Sequence, residues 1–234
     1  MARVRIVTDS SWDMPQEEKE RYGITVVPLV VIFGREEFLE TRLTRDEFWV
    51  KAATVHPQTS QPSPGDFEAA FRQLVDAGHD VVCITITGKH SGTLNSAVTA
   101  AANFPPGRVT VVDSRAISWG HGFQVLAAAQ MAEGGASPDE IVAHLMDMQE
   151  RSHMFVLFDT MEYLERGGRA ALLMPVVKRV AKTFNIKPII NVVDGQLTLR
   201  SAARSYPKGM QRLVEEAKGL APFERLAVLH VRNP

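Results

Sequence analysis

Cysteine occurs once in the 234 residues, and a single thiol excludes an internal disulfide and any metal site built on cysteine pairs. Cys83 lies inside the apolar run VVCITIT, where a thiol serves as a small core side chain. Charge of one sign is also lacking, because 26 basic residues against 27 acidic ones leave a net charge of −1. A chain without a basic surplus has no general electrostatic attraction to nucleic acid or to an anionic membrane surface. No apolar run reaches the roughly 18 residues of a membrane span. The opening MARVRIVTDSS leads directly into a strand pattern, without a signal-peptide core. A cytoplasmic protein is the expectation.

The common catalytic signatures are missing too. There is no GxSxG, no HExxH and no GxxxxGK[ST], and the local order GKHSGT at 88–93 does not make a phosphate-binding loop of that type. The seven histidines are scattered, with no ligand spacing of three or four residues. Neither a metal nor an organic cofactor is expected.

What is present is an alternation of strand and helix signals. RVRIVTDS reads as a strand, PQEEKERYG as a short helix opened by Asp13 and Pro15, and ITVVPLVVIF as a second strand. Thr44 and Glu47 form a capping box for the helix that follows. Ser63 and Pro64 open another helix, which Gly78 ends. DVVCITIT, the helix from Thr93 and the strand RVTVVDS continue the series. Such alternation predicts an N-terminal three-layer α/β/α domain, residues 1–150, with a mostly parallel sheet. Beyond it, Ser137, Pro138 and Glu140 cap a helix. HMFVLFDT is a strand, ALLMPVVKRVAKTF a helix, and Asp194-Gly195 joins two β runs as a hairpin. A hairpin does not belong in a purely parallel fold, so residues 151–234 are expected to form a second α/β domain with a mixed sheet.

Four polar segments fall at the carboxyl ends of strands: TDSS at 8–11, TSQPSP at 59–64, HSGT at 90–93 and DSRAIS at 113–118. In an open parallel sheet those ends face one crevice, the usual ligand position. Each segment by itself reads first as a cap or turn, and it is their number around one crevice that points to a ligand. HSGT has a particular capacity, since Gly92 permits close backbone approach, Ser91 and Thr93 offer hydroxyls, and the helix behind adds free N–H groups. One carboxylate suits such a socket, and a serine nucleophile at Ser91 beside His90 is the alternative. Arg169, in LERGGRAALL, is either a crevice guanidinium or part of a helix C-cap facing solvent. Arg200, Arg204 and Lys208 make a local basic patch, solvated or open to an anionic partner.

The strand-plus-TDSS opening, TSQPSPGDF, HSGTLNSA, VVDSRAISWGHG, EYLERGGR, IKPII with DGQL, and the segment at Arg204 occur in the order expected of the DegV family. The chain resembles that family over nearly its whole length. The resemblance implies a two-domain α/β protein that holds one long-chain fatty acid between its domains and is not itself an enzyme. It further implies a bacterial binding subunit that presents the carboxylate to a separate fatty acid kinase, whose acyl phosphate feeds phospholipid synthesis. Carried over by position, Thr59 and Ser91 bond the carboxylate, with Ser60, Gly92 and Thr93 supporting them. Arg169 lies near the phosphoryl-acceptor end and Arg204 contacts the kinase. Burying about fourteen methylenes is worth on the order of 10 kcal/mol before association costs, so the acyl tail would dominate affinity and the head group orientation. Another amphipathic anion is the remaining ligand class.

Three features depart from the family pattern. The family's terminal His-Thr-Gly-Pro-Gly-like segment has no counterpart here, so the second domain is expected to lack it. Glu40 stands where an aspartate is usual, and Tyr206 and Pro207 replace basic residues beside Arg204.

Overall fold

The computed structural model describes residues 4–160 and 186–231. It divides into two compact units, one running to Ser152 and taking in Asp194–Gln196, the other beginning at His153.

Strands β1 (Val4–Asp9), β2 (Thr25–Val27), β6 (Asp80–Thr85) and β7 (Val109–Asp113) form one sheet of the first unit, in the order β2-β1-β6-β7. All three pairings are parallel. Side chains alternate between its faces with the period of two that strands impose. Ile6, Val82 and Ile84 join one core with Val125 and Ala128 of α5 (Ser118–Glu133) and Ile141 and Leu145 of α6 (Pro138–Arg151). Val7, Val81 and Cys83 face the other way, against Phe67 and Phe71 of α3 (Pro64–Asp76) and Ala97 and Ala100 of α4 (Thr93–Ala101). Three α/β/α layers result. Burial pushes the Cys83 thiol well above its ordinary range, and the nearby Asp9 charge adds to this; Cys83 is therefore an inert core group.

Local signals explain the helix boundaries. Ser63 and Asp66 cap α3 reciprocally with Pro64 at its first turn, and Ser137 with Glu140 does the same for α6. Thr44 and Glu47 cap α2 (Arg45–Ala52). The expected Asp13 cap does not form, however. Asp13 sits at φ 54° after a 3-10 turn at Ser10–Trp12, and α1 (Gln16–Tyr22) starts behind Pro15 without a side-chain cap.

The run ITVVPLVVIF is not one strand. β2 stops at Val27, and β3 (Val30–Phe33) belongs to a separate antiparallel sheet, β4-β3-β5, with β4 at Glu36–Leu39 and β5 at Gln58–Ser60. Pro28 between them has no N–H to donate to a ladder, which favours the break. Thr59 and Ser60 therefore stand in a strand, paired with Val31 and Val30, and not in a loop.

In the second unit, β8 (Met154–Leu157), β9 (Lys187–Val193) and β10 (Gln196–Ala203) form a sheet in the order β10-β9-β8, with β8 and β9 antiparallel. Asp194 and Gly195, both at positive φ, make the two-residue turn from β9 to β10, the pair such turns favour. Helix α7 (Tyr206–Lys218) packs on β8 and β9. It comes close because Gly209 is bare, and a Cβ there would lie 2.6 Å from a Leu157 methyl.

Candidate functional site

The parallel register brings the carboxyl ends of β1, β6 and β7 to one edge, with Thr8 opposite Ile84 and Thr85 opposite Asp113. Asp9, fully buried, fastens two of them. Its Oδ1 accepts from the Ser11 N–H at 2.9 Å and the Ser11 hydroxyl at 2.5 Å, and its Oδ2 accepts from the Ile86 N–H at 2.7 Å. His121 of α5, also fully buried, closes the arrangement from the helix layer. Its Nε2 lies 3.1 Å from the Ile84 carbonyl and 3.0 Å from Thr8 Oγ1. A carbonyl only accepts, so Nε2 carries the hydrogen. Nδ1 faces Ser11 Oγ at 3.4 Å. In a catalytic triad the carboxylate orients the imidazole; here it grips the serine itself. TDSS is thus a fastening at the base of the edge.

Glu40 lies above the same turn. Burial raises its carboxyl above the ordinary range, a hydrogen bond with Ser10 opposes the rise, and the charges of Asp13 and Asp9 add to it. Folded Glu40 therefore keeps its proton to a higher pH than in the unfolded chain. Its contribution is present below the ordinary glutamate range and is lost as pH rises through the folded value. Glu40→Gln should leave the thermal midpoint almost unchanged at pH 4 and raise it at pH 7. Equal midpoint differences at the two pH values would contradict this assignment.

The two hydroxyl segments meet. A Cβ on Gly92 would stand 2.5 Å from Gln61 Oε1 and 2.6 Å from its Cδ, so the Gln61 carboxamide lies directly over the bare glycine. Any side chain at position 92 would displace it. TSQPSP and HSGT are thereby neighbours, joined by a residue not singled out from the sequence. The glycine in HSGT was the available signal, since close backbone approach is what glycine permits.

Within HSGT, Ser91 Oγ and Thr93 Oγ1 are 2.8 Å apart, and the Thr93 N–H donates to Ser91 Oγ at 3.3 Å. Thr93 is fully buried and Ser91 half-buried, which makes Thr93 the inner support and Ser91 the outer hydroxyl. Gly92 precedes the first residue of α4 and its carbonyl accepts the Ser96 N–H at 3.0 Å. On β5, successive side chains leave a strand on opposite faces, so Thr59 and Ser60 diverge. Both are exposed, and the Ser60 hydroxyl donates to the Gln61 carbonyl at 3.4 Å.

Arg204 is exposed in the bend between β10 and α7. Its sequence neighbour Arg200 is engaged by Glu216, Nη2 to Oε2 at 2.9 Å, which lowers the Glu216 carboxyl through the hydrogen bond and the charge. Arg200 is thus not a free member of a basic patch. Arg169, EYLERGGR and the expected helix at 171–184 lie outside the described residues. Among the described residues, no group of three or more His, Cys, Asp or Glu is placed to hold a metal ion, and no helix is long and apolar enough to cross a membrane.

A parallel α/β/α unit with a hydroxyl-lined edge, followed by a unit built on a β-hairpin, is the α/β architecture expected of the DegV family. Comparison with known proteins agrees: the DegV family model, described as an uncharacterised protein, matches residues 3–234, and the chain belongs to the DegV family. A DegV domain-containing protein of Caldanaerobacter subterraneus subsp. tengcongensis is 34% identical over 220 residues, covering 93% of this chain and 78% of the relative. Among solved structures, a fatty-acid-binding DegV family protein from Thermus thermophilus superposes with a TM-score of 0.82 at 35% identity, covering 93% of this chain and 78% of its own. A stearic-acid-binding protein from Eubacterium ventriosum gives 0.83 at 29% identity, with 94% and 76% covered.

Proposed function

We propose that this protein binds a long-chain fatty acid and presents its carboxylate to a separate fatty acid kinase in the cytoplasm. The observation that carries the reading is the contact of Gln61 with Gly92, which joins the two hydroxyl segments beside the N-terminus of α4. Solved relatives that bind fatty acids support the choice of ligand.

Thr59 and Ser91 donate to the carboxylate in this reading. Thr93 holds Ser91 from behind, Ser60 supports the strand end, and Gly92, having no side chain, admits the Gln61 carboxamide that joins the two segments. Neutral hydroxyls orient a carboxylate without neutralising it, so its oxygen stays nucleophilic toward an incoming phosphoryl group. Charge on that group requires cations; Arg169 is assigned to this end and Arg204 to kinase contact. The protein supplies no catalytic residue of its own.

With palmitate, ATP, magnesium and a fatty acid kinase catalytic protein, acyl phosphate should form and be trapped by hydroxylamine as the hydroxamate. Omission of either protein should abolish it. Hydroxamate formed without the kinase would overturn the non-catalytic role. The rival reading, a hydrolase with Ser91 as nucleophile, predicts labelling of Ser91 by a fluorophosphonate probe. The partners described for Ser91 are a hydroxyl and an amide of Thr93, neither of them a base, and no labelling is expected.

A further inference from the structure

The loop that carries Ser91 depends on one buried hydroxyl at its root. Thr87 is fully buried. Its Oγ1 donates to the Gly195 carbonyl at 3.2 Å and accepts from the Lys89 N–H at 3.2 Å. Its main chain is engaged as well, the N–H donating to the Ala116 carbonyl at 3.0 Å and the carbonyl accepting from the His90 N–H at 3.5 Å. Gly88 between them donates to Asp113 Oδ2 at 3.2 Å. Every residue from Thr87 to His90 is thus tied by its backbone N–H, and two of the four ties end on Thr87.

The other partner of the hydroxyl is remote in sequence. Gly195 is the second residue of the β9–β10 turn, at φ 77°, and a Cβ there would overlap Thr87 Oγ1 and come within 3.3 Å of the Arg115 Cα. The turn tip belongs to the first unit. A glycine is needed at this point twice over, for the left-handed backbone and for the close approach. A hydroxyl is needed at 87 because only such a group donates to one main-chain atom while accepting from another with the same oxygen.

We propose that Thr87 is the positioning residue for Ser91, and that the Asp194-Gly195 turn sets Thr87 by capping its hydroxyl. The hairpin tip then acts on head-group recognition without touching the ligand. This rests on the fatty-acid reading above, and the test separates the two.

Displacement of cis-parinaric acid measures affinity for palmitate and for hexadecan-1-ol, which share a tail and differ in head group. The parent should prefer palmitate. Thr87→Val, nearly the same shape without the hydroxyl, should cut that preference by about tenfold, the order of one hydrogen bond to a charged group. Affinity for hexadecan-1-ol should hold, and Thr87→Ser should restore the preference. A merely structural role would lower both affinities together. Should Thr87→Val not fold, Gly195→Ala carries the same expectation with the hydroxyl left in place. A folded variant of either kind that keeps the parent's preference overturns the inference alone. A parent with no preference for palmitate overturns the fatty-acid reading and this inference with it.

Discussion

Replacing Thr59 and Ser91 together by alanine is expected to weaken palmitate binding by about 10²- to 10⁴-fold, since each hydrogen bond to a charged group is worth about 1.5–3 kcal/mol. In the proposed reading the two act on one carboxylate, so their effects need not add. Fold should survive the change. Thr59 is exposed on an edge strand, held there by backbone pairing with Val31. Ser91 is half-buried and leaves Thr93 anchored in α4. Isothermal titration with palmitate, alongside circular dichroism of the same samples, reads both quantities. An unchanged affinity in the folded double variant would refute the head-group assignment.

Asp9→Ala should cause the largest loss of stability at the site's base, about 2–5 kcal/mol. The carboxylate satisfies two backbone N–H groups, Ser11 and Ile86, besides the Ser11 hydroxyl. Each buried donor left alone costs about 1–3 kcal/mol. The Ile86 bond joins the end of β1 to the end of β6, so its loss should also loosen the loop that leads to Ser91. Urea unfolding of the first unit measures the cost, and Asp9→Asn, which keeps an acceptor oxygen, should lose less. A cost below about 1 kcal/mol for Asp9→Ala, the range of an ordinary exposed substitution, would mean that the fastening contributes nothing.

Much of the fold was legible because its signals are local. The three capping boxes lie within four residues each, and Asp194-Gly195 announces its turn through the backbone those two residues tolerate. DVVCITIT has a β-branched run long enough to identify a central strand. Legibility ended where pairing is tertiary. Nothing in ITVVPLVVIF except Pro28 tells that its halves enter different sheets, and Gln58–Ser60 has no apolar alternation to mark it as a strand. Likewise, Glu36–Leu39 pairs with β3 through backbone groups that every sequence possesses.

The same division runs through the site. Ser91, Gly92 and Thr93 were legible as a helix-start socket, and Ser91 and Thr93 do share a hydrogen bond. Gln61, His121 and Thr87 were not, because each owes its place to a partner far along the chain: Gly92, Thr8 and Gly195. Glycines gave the usable hint. Gly92 and Gly195 both mark positions where another segment's side chain comes too close for a Cβ.

Native mass spectrometry of the purified protein, followed by solvent extraction, reads whether an acyl chain is bound. One long-chain fatty acid per chain is the expected adduct, released as the free acid on denaturation and depleted in the Thr59→Ala, Ser91→Ala double variant. A protein that carries no acyl chain and takes up none from added palmitate would contradict it.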